Sequence, residues 1–144
     1  MFLMMRYQLC PNQENYDRLP TFFQPRPSQL LTPHPIWIDY LPWPLMRDKM
    51  TQIYPSVPFD EFFIPYTTTV SLNWPAEKGA VLIATGETGR DGELALNPTF
   101  EQHMFELKSW SLGTPFAKAH PSLAETIRVV DLEKTMGPVG RKRS

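Results

Sequence analysis

Residues 33–48 read PHPIWIDYLPWPLMRD, and this stretch decides what kind of fold the chain can adopt. Its four prolines exclude a continuous helix, because proline lacks a backbone N–H and fixes its own φ. The same stretch is dense in large apolar side chains, which disordered segments lack. We therefore expect ordered but irregular structure, followed by a helix that begins at Pro44 and ends near Ile53, since proline is tolerated in a first helical turn.

A second helix is predicted from Phe59 onward. Apolar side chains recur there at the helical period, at positions 59, 62, 63, 66 and 70, and acidic residues suit its N-terminal end. Pro65 removes one hydrogen bond from this helix. Residues 67–72 are β-branched enough to form a strand instead, so the end of the helix stays open between these two alternatives.

Two later helices are predicted at Asn97-Pro98 and Thr114-Pro115, because an N-cap residue followed by proline is typical of a helix start. The second of them must end near His120, since Pro121 disfavours helical geometry in the residue before it. The last core contributors are expected to be Leu123, Ile127 and Val129.

The runs at residues 81–83 and 93–96 flank a glycine-rich turn at 86–92, which predicts a short hairpin with a mobile loop. The predicted fold class is therefore mostly α, with long proline-rich irregular segments and one short β-hairpin around residues 80–96.

Prolines and glycines divide the chain unevenly. Eleven of the 16 prolines lie at or before Pro65, whereas all seven glycines lie from Gly79 onward. We predict a proline-rich arm over residues 1–30 whose order is open, a single compact domain over residues 31–132, and a basic flexible tail over residues 133–144.

The composition excludes several classes of protein. The chain has 144 residues, enough for about one domain. Its 14 basic and 15 acidic residues give a net charge of -1, which supplies none of the attraction that sequence-independent nucleic-acid binding needs. No apolar run approaches the roughly 18–20 residues that span a bilayer, and no secretory signal is recognisable. We expect an intracellular protein without a membrane segment.

Catalytic and metal-binding motifs are missing as well. None of the histidines, His34, His103 and His120, stands at a metal-ligand spacing from a cysteine or a carboxylate. The lone Cys10 lies outside any nucleophile motif, and the glycines do not form a phosphate-binding loop. We expect no enzyme activity, no cofactor and no metal.

The densest polar cluster comprises His34, Asp39, Arg47 and Asp48. Its residue types would suit an acid–base pair beside an arginine. A structural interpretation is favoured, because buried backbone groups in a loop-rich segment need hydrogen-bond partners, and Asp39 and Arg47 can supply them together with an ion pair.

The four tryptophans invite comparison with base-stacking platforms, but few basic residues stand beside them, so packing in a core or a shallow groove is favoured. Trp37 and Trp43 are the candidate docking aromatics, because aromatic side chains are enriched at interface hot spots.

Four stretches in order resemble a known family: HPIWIDYLPWP at 34–44 followed by Arg47-Asp48, SLNWP at 71–75, LNPTFEQH at 96–103 and WSLGTPF at 110–116. They are similar to a fungal domain of unknown function that commonly lies C-terminal to the basic leucine-zipper (bZIP) region of transcription regulators. The resemblance covers residues from about 20 to 130. Its motif residues here are Trp74, Pro75, Asn97, Pro98, Phe100, Trp110 and Phe116.

This resemblance implies a fungal origin, a nuclear location and a link to transcription control, but no catalytic activity or ligand. The usual upstream half of such regulators, a basic helix followed by leucine heptads, is not recognisable: residues 1–32 hold three arginines and are broken by prolines. We therefore expect no direct DNA binding by this chain, whether it is a shortened form of a larger regulator or a free-standing domain.

The sequence is consistent with two alternative functions. The first is a non-enzymatic regulatory domain that binds a partner protein in transcription control, with docking beside Trp37 and Trp43. The alternative is a small-molecule sensor with a pocket between the proline-rich half and the helices that bear Phe100 and Phe116. The polar groups of that pocket would come from His34, Asp39, Arg47 and His103.

Overall fold

The computed structural model describes residues 2–84 and 93–131, and helices make up most of their regular structure. The α-helices in this part of the chain are α1 (Phe2–Leu9), α2 (Gln13–Asp17), α3 (Pro27–Leu31), α4 (Pro44–Ile53), α5 (Phe59–Thr69), α6 (Pro98–Met104), α7 (Thr114–Ala119) and α8 (Pro121–Ala124). Short 3₁₀ helices lie between them at Thr21–Phe23, Ile36–Tyr40, Tyr54–Ser56, Ala76–Lys78 and Leu107–Ser109. The predicted fold class, mostly α with irregular connections, is confirmed.

Two pairs of short strands complete the described fold. β1 (Leu82–Ala84) and β2 (Leu94–Leu96) pair antiparallel, which confirms the predicted hairpin. β3 (Leu112–Gly113) and β4 (Val129–Val130) pair in parallel, and no sequence pattern predicted them because strands of 2 residues are too short to show a period. The predicted loop at 86–92 and the predicted tail at 133–144 lie outside the described residues.

Helix α4 has the predicted bounds, and α5 continues through Pro65 to Thr69. The alternative strand at residues 67–72 is not formed. The hydroxyl groups of the last three helical residues each donate to the carbonyl four residues earlier, at 2.7–2.8 Å, so these β-branched threonines are accommodated within the helix.

Pro65 has no N–H to donate to the carbonyl of Glu61, one turn earlier in α5. Nε2 of His120 lies 2.8 Å from that carbonyl oxygen, and the ring nitrogen must be the donor because a carbonyl only accepts. His120 directly follows α7, so the packing of α7 against α5 supplies the hydrogen bond that proline removes.

The starts of α6 and α7 differ. Asn97 caps α6 as predicted, since its side-chain oxygen accepts from the backbone N–H of Thr99 at 3.0 Å. The prediction that Thr114 caps α7 was wrong: Gly113 is the N-cap, and Thr114 is the first helical residue. A Cβ added to Gly113 would lie 2.9 Å from the Cβ of Thr69, so the absence of a side chain allows the close approach of β3 and α5.

The core lies where α4, α5, α7 and the Ile36–Tyr40 helix meet. Phe62 stands at its centre and packs edge-to-face on Phe116 at a ring distance of 5.5 Å. Leu123 belongs to the core as predicted, and Ile127 packs against it. Val129 was wrongly predicted as a core residue: it is 40% exposed in β4. The other buried apolar residues of this cluster are Ile38, Leu41, Trp43, Met46, Met50 and Leu112.

Residues 2–31 contain α1, α2, a 3₁₀ helix and α3, and they bury Met4, Leu19 and Phe22. The chain division at residues 30 and 132 stays a prediction. The longest helix described, α5, has 11 residues, and no helix within 2–84 or 93–131 combines the length and apolar composition needed to cross a membrane.

Candidate functional site

Arg47 lies in α4 with its side chain fully buried. All five of its N–H groups have acceptors, which are the carbonyl oxygens of Leu41 (2.6 Å), Pro42 (3.2 Å), Phe22 (2.6 Å) and Gln24 (3.3 Å) and the side-chain oxygen of Gln29 (2.9 Å). We call these six residues the Arg47 cluster. Burial lowers the pKa of Arg47 to about 10, while the negative charges of Asp39 and Asp48 oppose the shift, so the guanidinium stays protonated at neutral pH.

The proline-rich sequence explains why a charge is buried here. Its irregular backbone leaves carbonyl groups outside any helix or sheet ladder, and buried carbonyls need donors. A planar guanidinium offers five donors in fixed directions, which suits several carbonyls at once. Because Arg47 has no N–H left for a substrate, this geometry supports the structural interpretation of the residue over a catalytic one.

Asp39 accepts three side-chain hydrogen bonds beside the Arg47 cluster. His34 Nε2 and Gln29 Nε2 lie 2.7 and 2.9 Å from Asp39 Oδ1, and Gln8 Nε2 lies 3.2 Å from Oδ2. The predicted ion pair between Asp39 and Arg47 is not formed, because the Gln29 amide lies between them and bonds to both. Gln29 was not among the predicted site residues, because it belongs to no motif and lies in the segment 1–30, for which the sequence did not decide between order and disorder.

His34 is held at both ring nitrogens, since Nδ1 lies 2.7 Å from the Thr32 carbonyl and Nε2 lies beside Asp39. Burial lowers the pKa of His34, but the hydrogen bond to Thr32 and the hydrogen bond and charge of Asp39 outweigh burial, so the pKa lies above its ordinary value of 6.5. In the protonated form both ring nitrogens donate, which fits a carbonyl on one side and a carboxylate on the other.

Asp48 stands apart from the other three residues of the predicted polar cluster. Its carboxylate accepts from Arg26 Nε and from the Ser28 hydroxyl, both at 2.5 Å. These contacts tie the start of α3 to α4. The four polar residues therefore form two structural hydrogen-bond groups and do not converge on one open site.

An aromatic cavity of about 390 Å³ lies beside the Ile36–Tyr40 helix. Helix α5 lines it with Phe59, Phe62, Phe63 and Tyr66. The remaining lining residues are Met4, Phe23, Trp37, Tyr40, Leu41, Val70 and Trp110. None of these side chains carries a charge, so the cavity is an apolar site with only a few polar atoms.

Two of those polar atoms have no partner among the described residues. The side chains of Tyr66 and Trp37 appear in no hydrogen bond of residues 2–84 and 93–131, whereas the hydroxyl of Tyr40 donates to Gln8 Oε1 at 2.6 Å and Trp110 Nε1 donates to the Met104 carbonyl at 2.9 Å. Burial raises the pKa of Tyr66, so its hydroxyl stays neutral and retains its proton at physiological pH.

The two predicted docking aromatics have different environments. Trp37 is half-buried, lines the cavity and packs against Phe59 at a ring distance of 5.4 Å. Trp43 is 3% exposed and packs edge-to-face on Tyr66 in the core. The prediction that Trp43 is a docking residue was wrong, because a buried ring offers no surface to a partner.

The location predicted for a ligand pocket also needs correction. Phe116 is buried in the core, and Phe100 packs on Trp74 away from the cavity. The polar residues expected to line the pocket, His34, Asp39, Arg47 and His103, are not among the lining residues of the cavity. The cavity instead lies between the first part of the chain and α5.

The comparison with protein families matches residues 2–132 to a domain of unknown function, DUF3425. The chain belongs to this family. The match begins in α1, so the DUF3425 domain includes α1, α2 and α3 as well as the segments quoted from the sequence. Comparisons with curated proteins and with solved structures found no match.

Several motif residues of the DUF3425 domain have structural contacts. Trp74 packs edge-to-face on Phe100, and its Nε1 donates to the Gly79 carbonyl at 3.0 Å. Pro75 is the N-cap of the Ala76–Lys78 helix, and Pro98 occupies the first turn of α6 behind the Asn97 cap. Trp110 lines the cavity and packs on Phe23 at 6.4 Å.

His103 of the DUF3425 domain, two residues after Glu101 in the sequence, bonds through Nε2 to the Leu72 carbonyl. Within residues 2–84 and 93–131, no three histidine, cysteine or acidic side chains come close enough together to hold a metal ion. Cys10 is exposed.

Proposed function

We propose that this DUF3425 domain is a non-enzymatic regulatory domain of fungal transcription control, and that it binds a partner protein through the exposed rings at the mouth of the aromatic cavity. These rings are Phe59 and Phe63, which we call the aromatic rim. The observation that carries the proposal is that both rings stay about half exposed although they lie on the same apolar face of α5 as Phe62 and Tyr66, which pack in or against the core.

The rim has the composition of an interaction surface. Phe59 is 47% exposed and Phe63 is 45% exposed, and the two rings stack at 5.0 Å. Trp37 packs against Phe59 and also lines the cavity, so the apolar surface is continuous from the rim to the cavity. Aromatic side chains around a pocket are typical of interface hot spots, where a partner inserts one apolar side chain.

A role without catalysis is supported by the polar cluster. The donors of Arg47 are all used by neighbouring groups, and Asp39 and Asp48 each hold several local contacts. The family resemblance supports fungal origin, a nuclear location and transcription control. The net charge of -1 and the lack of a recognisable basic helix support action through a protein and not through DNA.

Site-specific crosslinking tests this proposal. A photoreactive phenylalanine analogue replaces Phe63 in the full chain, and in a matched control it replaces Phe2, which is 71% exposed on α1. After irradiation in fungal nuclei, we expect a nuclear protein that is crosslinked from position 63 and not from position 2.

Binding of that purified protein then decides the question. The double variant Phe59→Ser/Phe63→Ser should weaken its binding by at least about tenfold, because truncation of hot-spot rings costs more than 1.4 kcal/mol, about tenfold in Kd. The control Leu9→Ser/Leu31→Ser changes two exposed apolar residues elsewhere and should leave Kd unchanged. Equal binding by both double variants would overturn the proposal.

The interior of the cavity favours a second function, sensing of a small molecule. Its volume of about 390 Å³ lies within the roughly 300–1,000 Å³ typical of ligand pockets. A ligand inside would lie directly beneath the aromatic rim and could control docking there.

A further inference from the structure

We infer that the aromatic cavity binds a small, uncharged and largely apolar molecule that carries a hydrogen-bond acceptor, and that the Tyr66 hydroxyl and the Trp37 indole N–H bind this acceptor. The inference deepens the sensing function proposed above. It does not depend on protein docking at the aromatic rim.

The lining residues restrict the charge of the ligand. The described residues around the cavity include no aspartate, glutamate, lysine, arginine or histidine. A charged molecule would lose its hydration there without gaining a partner of opposite charge, which is costly. An uncharged molecule with an aromatic or aliphatic body gains from contact with the rings instead.

The polar requirement follows from the two groups that have no partner. Tyr66 and Trp37 both line the cavity and their side chains make no hydrogen bond to any described residue, and no buried side-chain oxygen or nitrogen in residues 2–84 and 93–131 is left unsatisfied. The two groups therefore keep some accessible surface. Each group can donate a hydrogen bond, so a matching ligand carries an acceptor such as a carbonyl oxygen.

The neighbouring cavity residues make this assignment specific. The hydroxyl of Tyr40 is already bonded to Gln8, and the indole of Trp110 to the Met104 carbonyl. Among the tyrosines and tryptophans that line the cavity, only Tyr66 and Trp37 offer a free donor within the described part of the chain. An acceptor group on an otherwise apolar molecule can bind to either of these donors.

Three naphthalene probes of similar size test the inference with the full chain. 2-Acetylnaphthalene is neutral and carries a carbonyl, 2-ethylnaphthalene lacks the acceptor, and 2-naphthoate is charged. Kd values are measured by calorimetry, and NMR shifts of the tryptophan side chains locate the bound probe. We expect 2-acetylnaphthalene to bind about three- to tenfold more tightly than 2-ethylnaphthalene, the effect of one hydrogen bond, and 2-naphthoate to bind most weakly.

Matched tyrosine variants identify the donor. Tyr66→Phe should reduce the preference for 2-acetylnaphthalene over 2-ethylnaphthalene, because only the Trp37 N–H remains as a donor, while leaving the Kd of 2-ethylnaphthalene unchanged. Tyr40→Phe should keep the preference, because that hydroxyl is engaged with Gln8. Both variants remove one oxygen atom only, and thermal unfolding confirms that each remains folded.

Each contrary result has a separate meaning. If none of the probes binds, the small-molecule site is overturned, while the docking proposal is still decided by the crosslinking experiment. If the two neutral probes bind equally, or if Tyr66→Phe keeps the preference, the cavity binds apolar molecules and the assigned role of Tyr66 is overturned.

Discussion

The Arg47 cluster and the aromatic cavity differ in their hydrogen bonding. Every N–H group of Arg47 has an acceptor inside the protein. In the cavity, the Tyr66 hydroxyl and the Trp37 indole N–H have no acceptor among the described residues. The donors of the Arg47 cluster are therefore used within the fold, whereas the cavity retains two donors without a partner.

The largest predicted effect tests the structural half of this contrast. Arg47→Met should lower the free energy of unfolding by about 3–5 kcal/mol, because it leaves several buried acceptors without a donor. The control Arg18→Met removes an exposed arginine that pairs with Glu14 at 2.6 Å and should cost less than about 1 kcal/mol. Urea unfolding measures both. Similar losses for the two variants would contradict a structural role of the Arg47 cluster.

A second prediction concerns helix α5, which contains a proline. His120→Ala should cost about 1 kcal/mol of stability, since it removes the hydrogen bond to the Glu61 carbonyl that Pro65 fails to provide. In a Pro65→Ala background the backbone N–H of residue 65 serves that carbonyl, so the same substitution should cost less. A double-mutant cycle in urea isolates this coupling. Additive effects would show that His120 does not replace the missing bond.

The third prediction concerns the pH dependence of the free energy of unfolding, to which His34 contributes. The pKa of His34 is raised in the folded state, so its protonated form contributes stability that is fully present below pH 6.5 and is lost as the pH rises through the raised value. His34→Gln should abolish this part of the pH dependence. The difference in unfolding free energy between the two proteins is measured from pH 5 to pH 8.5. A difference that stays constant over this range would refute the assignment.

The smallest predicted effects compare two tyrosines of the cavity. Tyr40→Phe should cost about 0.5–1.5 kcal/mol, because it removes the hydrogen bond to Gln8. Tyr66→Phe should change stability by less than about 0.5 kcal/mol, because its hydroxyl has no partner to lose. Thermal and urea unfolding check this pair. A larger loss for Tyr66 would mean that its hydroxyl already serves the fold.

Local sequence rules predicted four of the eight α-helices in residues 2–84 and 93–131. Proline at a first helical turn located α4 and α6, and the helical period located α5, because these patterns depend on neighbouring residues only. The hairpin followed from two apolar runs around a turn. The strand alternative at residues 67–72 failed because threonine hydroxyls bond within the helix, which β-propensity does not describe.

The candidate site depended on contacts that local rules do not capture. Gln29 joins Asp39 to Arg47 across 10 and 18 residues of chain, and His120 reaches Glu61 across 59. Trp37 and Trp43 are equivalent as sequence, yet one lines a cavity and the other is buried. Which tryptophan faces solvent is decided by the packing of α5, which the sequence pattern alone does not specify.

The order of the Arg47 contacts along the chain has a consequence for synthesis. All five acceptors precede Arg47, and the farthest of them, Phe22, is 25 residues earlier. Once the ribosome has synthesised the chain through α4, every acceptor of this side chain is already present. The hydrogen bonds of the buried charge therefore use no group of α5 or of any later segment.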